Sequence, residues 1–470
     1  MYKTSGFNHG LAVRLHIDLL DLLLYRRSLS LAQFFFSTIN DQLFSEDLLF
    51  RRNIYLSVLQ LFSTVVTLGA QVLIAQRIGP GLHLDTYYTI IGFASALLGS
   101  ISSGATYLLP ARIRVNGKTA DYQAVIAGHG VVASAAAGII AALASAITFF
   151  WILMAEQQVH TISYDMSLVF FGWLCALTSV LATSWGAVGT AHGRVFGTIL
   201  FSMLPPATMA TYLFNVDSPT VVEMAGAQLI GICLQAISLA CLYRTHWSLA
   251  SLNLRLVGRL IGEFPLAAAG TLCFSAYVAV DAWLAPSLGV GVMSHQSLAQ
   301  RLVIAFSGVV SAGPFMLVSS ITATMLSEGR EQDVWKYTLR AGIVLTLICL
   351  VASAFTPGIG QLAIEIVFQR GEFGASDTHA VSTLVTILLI GAGPMLASAV
   401  AFRVLHSKGC TGQVAILSIT WVVLYALFAN AFSEYFGSLS LSIAYVLAWS
   451  VTAIGVYINL GKLCKSHRSA

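Results

Sequence analysis

Charge is scarce in this sequence. Asp, Glu, Lys and Arg make up 9% of the 470 residues, against about 25% in soluble domains. A water-facing surface cannot be covered at that density, so a soluble globular protein is excluded. Disorder is excluded too, because disordered chains combine low hydrophobicity with high charge, and here hydrophobic types reach 57%. No basic stripe exists for nucleic acid: 24 Lys and Arg are spread thinly against 20 acidic residues, for a net charge of +4. Cysteine pairing is missing as well. Cys175, Cys233, Cys241, Cys273, Cys349, Cys410 and Cys464 are scattered without a CxxC. Most lie in apolar runs, where a thiol packs as a small hydrophobe, so neither disulfide nor metal site is expected. Enzyme signatures are nearly absent: the chain has no GxSxG, HExxH, GxxxxGK[ST] or GxGxxG. His160 and Asp165 match an HxxxxD spacing, but with eleven His in the chain this is read as chance.

What is present is long apolar runs without the alternation of barrel strands, which predicts an all-α polytopic membrane protein. Twelve transmembrane helices are expected, at 54–76, 86–109, 123–154, 166–190, 195–214, 221–243, 264–285, 295–325, 337–357, 378–404, 412–432 and 438–461. Basic residues set the orientation. Arg51 and Arg52, Arg112, Arg114 and Lys118, Arg194, Arg244, Arg255 and Arg259, Arg330, Lys336 and Arg340, Arg403 and Lys408, and Lys462, Lys465 and Arg468 fall on one side. The other side receives Arg77 and Arg370. By the positive-inside rule both termini are expected in the cytoplasm.

The segment 1–53 is expected to be an N-terminal cytoplasmic or interfacial extension. Arg14, Asp18, Asp21 and Tyr25 form a polar stripe on a leucine-rich helix that could lie at the membrane surface. A signal peptide is disfavoured, since two Asp interrupt the apolar region. Residues 85–108 can be laid over 294–317, with Gly99 on Gly308, Gly104 on Gly313 and Leu108 on Leu317. This places the second span on the eighth, six apart, and suggests two parallel six-helix bundles. The expected organisation is an N-lobe at 54–243, a cytoplasmic linker at 244–262, a C-lobe at 263–461 and a tail at 462–470.

Charges inside spans are costly and mark function. Arg301 lies in the eighth span, where it could snorkel, pair with Asp281 of the seventh, or meet an anionic substrate through its planar fork. Asp281 and Glu223 are candidates for ion coupling or a structural pair, while His129 and Glu263 lie near span ends. Pro205 and Pro206, Pro314 and Pro394 interrupt spans and permit kinks.

Three segments carry a family resemblance: QRIGPGLHLDTYY at 76–88, LAQRLVIAFSG at 298–308 and VFQRGEFGASDT at 367–378. They resemble, in order and spacing, segments of the murein lipid II flippase family (MurJ, or MVF) within the MOP exporter superfamily. The resemblance implies two lobes about a central cavity and a polyprenyl-pyrophosphate-linked glycan as cargo, flipped across the bacterial inner membrane during peptidoglycan and cell-wall synthesis. It implies that Arg301 contacts the pyrophosphate and that Asp85 is the acidic residue opening the second helix. The family's other cavity arginines align to Val65, Gln71 and Leu98, and Gln71 joins the expected substrate-binding set. Another lipid-linked oligosaccharide, or a cationic drug exported by ion coupling, is an alternative cargo; a non-transporting scaffold is the alternative outside transport. No cofactor is expected, with Na+ or H+ coupling left open, and the protein is expected to be a monomer.

Overall fold

In lipid, each backbone N–H and C=O must find a partner within the chain, and an apolar run does so as a helix. The structure is a computed structural model that describes residues 46–116, 120–156, 165–192, 194–248 and 253–466. The expected surface helix over 14–25, together with His160 and Lys118, lies outside the described residues. Contacts divide the chain into two units, Met1–Leu56 and Ser57–Ala470. The described part of the first is the opening of one helix; everything below concerns the second.

Among the described residues there is no strand, and fifteen α-helices follow one another. They are α1 (Glu46–Arg77), α2 (Leu82–Asn116), α3 (Ala120–Glu156), α4 (Met166–Ala191), α5 (Val195–Phe201), α6 (Leu204–Asn215), α7 (Val221–Leu242) and α8 (Leu254–Thr271). After these come α9 (Tyr277–Leu288), α10 (Val292–Ser327), α11 (Glu331–Phe355), α12 (Gln361–Phe368), α13 (Ala375–Ser407), α14 (Thr411–Phe436) and α15 (Ser440–Ser466). Nine stretches of the described residues are long and apolar enough to cross a membrane, and one of them, Thr411–Cys464, contains both α14 and most of α15. The expected fifth span is α5 with α6, and the eighth is α10. The protein is an all-α polytopic membrane protein.

Three spans differ from continuous helices. In the fifth, Pro205 and Pro206 sit in the first turn of α6, where no intrahelical N–H is required, so they start a helix instead of bending one. The seventh begins earlier than expected, within the linker, because Asn253 caps α8 by accepting from the N–H groups of Arg255 (3.0 Å) and Leu256 (3.3 Å). It then breaks at a 3-10 turn, Leu272–Phe274, while Pro265 and Pro286 both lie inside regular helix. The ninth continues past 357 through a π-turn, Thr356–Gly360, into α12.

Helix α2 packs on α3 and α4, and α4 on α7; α13 packs among α10, α11 and α15, and α15 on α14. The α8–α9 pair lies between these groups, against α2 on one side and α14 on the other. Glycine makes the α2 contact close. A Cβ on Gly92, Gly99 or Gly104 would come within 3.0–3.1 Å of Val278, Ser275 or the Ala268 backbone. At the break between α8 and α9, the Ser275 and Ser100 hydroxyls bond at 2.6 Å, and Thr271 donates to the Ser100 carbonyl at 3.1 Å. The hydroxyls of Ser100, Thr271 and Ser275 thus join α2 to the chain on either side of the turn where the helix is interrupted.

Candidate functional site

Two of the three segments quoted above, 76–88 and 367–378, meet at one end of the helices, beside the start of α10, the helix that carries the third. Asp85, in the first turn of α2, accepts from the N–H of Gly291 (2.5 Å), the N–H of Ser294 (2.7 Å) and the Ser294 hydroxyl (2.5 Å). Both its oxygens face the opening of α10, whose unpaired N–H groups and dipole favour a negative charge there. One residue along α10, the His295 ring donates through Nε2 to Asp377 at 2.9 Å, and Asp377 accepts from the Gly374 N–H at 2.8 Å to cap α13. The α1–α2 turn meets the α12–α13 turn: the Glu372 N–H donates to the Gln76 carbonyl at 3.1 Å, and Gln76 Nε2 donates to the Val367 carbonyl at 3.3 Å. Glycine is required on both sides. Gly371 has φ +62° and its Cβ would lie 2.2 Å from the Gln76 oxygen, while Gly79 has φ +70° and its Cβ would lie 2.7 Å from Glu372 Cβ.

Arg301 lies about two turns along α10 from the Asp85 contact, roughly 10 Å by the helix rise. It is half-buried, and its Cζ stands 5.1 Å from the Tyr88 ring centroid, a cation–π separation. No ion pair joins it to Asp281; among the described residues its guanidinium has no carboxylate partner and no hydrogen bond. Tyr88 is buried and donates to Gln71 Oε1 at 3.1 Å, and Gln71 is itself 2% exposed. Gln71 therefore reaches Arg301 through Tyr88. The neighbouring Tyr87 meets the Tyr88 ring edge-on, centroids 5.3 Å apart, and donates its O–H to Gln228 of α7.

Gln300, adjacent to Arg301, points elsewhere: its Nε2 donates to Asp281 at 2.5 Å. Asp281 is fully buried and also accepts from the Tyr425 hydroxyl, within an aromatic group in which Trp421 stacks on Tyr425 at 5.2 Å and meets Trp449 at 4.8 Å. Glu223 occupies a capping box with Thr220 at the start of α7 and accepts from the Tyr212 hydroxyl at 2.6 Å. His129 accepts through Nε2 from the Asn253 N–H at 2.6 Å, which makes Nδ1 the donor to the Val125 carbonyl at 2.6 Å. At the opposite end of α2, Arg112 grips Glu263 of α8 through two bonds of 2.6 and 2.7 Å, and Arg259 stands 3.8 Å from the same carboxylate.

Tyr87, Tyr88, Gln228, Gln300 and Tyr425 are contributors that the charge inventory passed over. The signal available was uncharged polarity inside apolar spans, such as Gln296 and Gln300 one turn apart on the face next to Arg301. Among the described residues no group of three or more His, Cys, Asp or Glu could hold a metal ion.

Solved structures support the fold. A structure titled as the lipid II flippase MurJ in an inward closed conformation is 14% identical, with a TM-score of 0.68, over 87% of each chain. An inward-facing multidrug resistance MATE family transporter of the MOP superfamily is 13% identical, also with a TM-score of 0.68, over 88% of this chain and 99% of that one. A variant of the Vibrio cholerae MATE transporter VcmN is 15% identical, with a TM-score of 0.62, over 92% of this chain and 98% of that one. No curated protein sequence matches. The family model described as lipid II flippase MurJ matches residues 130–469, from within α3 to the end of α15 and beyond. With well over half of its length matched, and with this fold, the chain belongs to the MurJ lipid II flippase family.

Proposed function

We propose that this protein flips a lipid II-like precursor, a glycan linked to undecaprenyl pyrophosphate, across the bacterial inner membrane by alternating access, and that Arg301 takes the anionic head group. Family membership supports the class of activity. The observation that carries the role of Arg301 is a guanidinium within the eighth span, without a carboxylate partner or hydrogen bond among the described residues, beside a tyrosine face. A charge at that depth is costly unless something answers it, and a guanidinium edge fits two phosphate oxygens. The same observation weighs against a cationic drug as cargo, since the charge would repel it. Asp85 supports the reading at one remove, by holding the start of the helix that carries Arg301. Asp281, buried among neutral donors, is the coupling candidate for H+ or Na+.

Complementation of a strain depleted of its lipid II flippase tests the reading, with lipid II on the outer face as the readout. The chain should restore exposure. Arg301→Ala should abolish it in inserted, folded protein, through a loss of about 1.5–3 kcal/mol of head-group binding. Arg301→Lys keeps the charge without the fork and should restore it partly. Full activity of Arg301→Ala would reject the head-group role. Failure of the unaltered chain, when it is expressed and inserted, would turn the reading towards another lipid-linked oligosaccharide.

A further inference from the structure

We propose that Tyr88 is a positioning residue for head-group recognition: its ring backs the Arg301 guanidinium, and Gln71 in turn holds Tyr88, so that a phosphate-type anion meets a fork already set. The inference rests on the reading that Arg301 takes the head group. It concerns how one arginine can serve where its own side chain has many rotamers to lose.

The guanidinium meets a ring on one side: its Cζ lies over the Tyr88 ring, 5.1 Å from the centroid. The edge carries the N–H groups, and among the described residues none of these is taken by a carboxylate, a carbonyl or a hydroxyl. Bidentate binding of an oxyanion uses the edge in the plane of the group. The Tyr88 ring presents no oxygen acceptor to the guanidinium, so it leaves the fork's hydrogen bonds to the anion. It narrows the orientations of a long, flexible side chain before the anion arrives, which is how pre-organisation favours binding.

The ring is itself held from two helices. Its hydroxyl donates to Gln71 of α1 at 3.1 Å. Its side is met edge-on by Tyr87, whose hydroxyl is fixed on Gln228 of α7. Tyr88 and Gln71 are 3% and 2% exposed, so neither is placed to touch a cargo directly. They act through Arg301. The ligand class that suits this arrangement is an oxyanion that offers two oxygens to the fork, a phosphate ester or a pyrophosphate, and not a neutral or cationic group.

The test uses the full chain in nanodiscs, with undecaprenyl pyrophosphate as the probe and undecaprenol as the headless control. Tyr88→Leu should weaken binding of the probe on the order of three- to tenfold, the range for losing a cation–π contact at a partly buried site, and leave undecaprenol binding unchanged. Tyr88→Phe and Gln71→Leu keep the ring but release its tether, and should each cost about twofold or less. In an Arg301→Ala background, Tyr88→Leu should cause no further loss; an additive loss would show that Tyr88 supports the fold and not Arg301. Fluorinated phenylalanines at position 88 keep the shape while draining the ring face, so they report even if Tyr88→Leu does not fold. Affinity should fall stepwise with fluorination, and a flat series overturns the proposal. If Arg301→Ala itself binds the probe as well as the unaltered chain, the head-group reading fails. If Arg301→Ala weakens binding and the Tyr88 variants do not, the positioning role alone fails.

Discussion

Asp85→Asn removes one charge and changes one atom, at the place where α2 meets the start of α10. In the native chain both carboxylate oxygens accept, from the N–H groups of Gly291 and Ser294 and from the Ser294 hydroxyl, at 2.5–2.7 Å. An asparagine oxygen can stay on the two Ser294 donors, which share Oδ1. Its amide group then faces another donor, so at least one N–H at the helix start is left without an acceptor. Hydrogen bonds to charged groups contribute about 1.5–3 kcal/mol each, against about 1 kcal/mol for a neutral one. The loss of charge also removes a favourable interaction with the helix dipole, about 0.3–1 kcal/mol. Allowing for non-additivity, the contact should weaken by about 3 kcal/mol, on the order of a hundredfold in the balance between joined and separated helix ends. Spin labels at His83 and Val290, both exposed and on either side of the contact, would read this by double electron–electron resonance. The unaltered chain should give one short distance. Asp85→Asn should add a longer component, and Asp85→Ala should make it dominant. Superimposable distance distributions for all three proteins would refute the reasoning, because the helix ends would then be held by something other than this carboxylate.

Other predictions follow from neighbouring features. Gly371→Ala should lower the thermal stability of the purified protein more than Gly409→Ala. Both residues have left-handed backbone, at φ +62° and +76°, but only the first has a backbone oxygen 2.2 Å from the added carbon, so Gly409→Ala should cost only the backbone term of about 1–2 kcal/mol. Glu263→Gln should cost about 1 kcal/mol, since the pair with Arg112 is well formed but partly exposed, and the exchange Arg112→Glu with Glu263→Arg should recover part of it in a denaturation series. His246, stacked on His192 at 4.3 Å and with no partner for its Nε2 among the described residues, has its pKa lowered to about 4 by burial, with His192 and Arg194 adding to the effect. The folded state thus binds fewer protons than the unfolded one, whose histidine titrates near 6.5. Stability from this group should be complete above pH 6.5 and fall as the pH drops towards 4, and His246→Phe should flatten that part of the profile in detergent.

The membrane fold was legible because its cause is one-dimensional. Apolar length decides which stretches become spanning helices, and each stretch can be read without its neighbours. The interruptions were not legible, because their cause is tertiary. The seventh span breaks at 272–276, where Ser100 of α2 bonds Ser275 and Thr271, and not at Pro265 or Pro286. In the fifth span Pro205 and Pro206 suggested a kink, but there they open a helix. Arg301 stood out as a lone charge in an apolar run. Tyr88 did not, since an aromatic residue in such a run reads as core, and only the fold brings it over the guanidinium. The expected alternative of an Arg301–Asp281 pair shows the same limit. Gln300 and Arg301 are adjacent in sequence, yet the helix turns one to Asp281 and the other to Tyr88.

The overlay of 85–108 on 294–317 places Asp85 on Ser294, and these are the two residues that touch in the structure. Three bonds to one carboxylate pin the start of α2 to the start of α10, so this is the point at which the two helices can turn against each other with least separation. It can serve as a fulcrum. Arg112 lies about 27 residues farther along α2, a lever arm of about 40 Å at the helical rise. A turn of about 10° at the fulcrum would carry the far end through about 7 Å. That sweep is enough to part Arg112 from Glu263, while Asp85 keeps its three bonds to the start of α10.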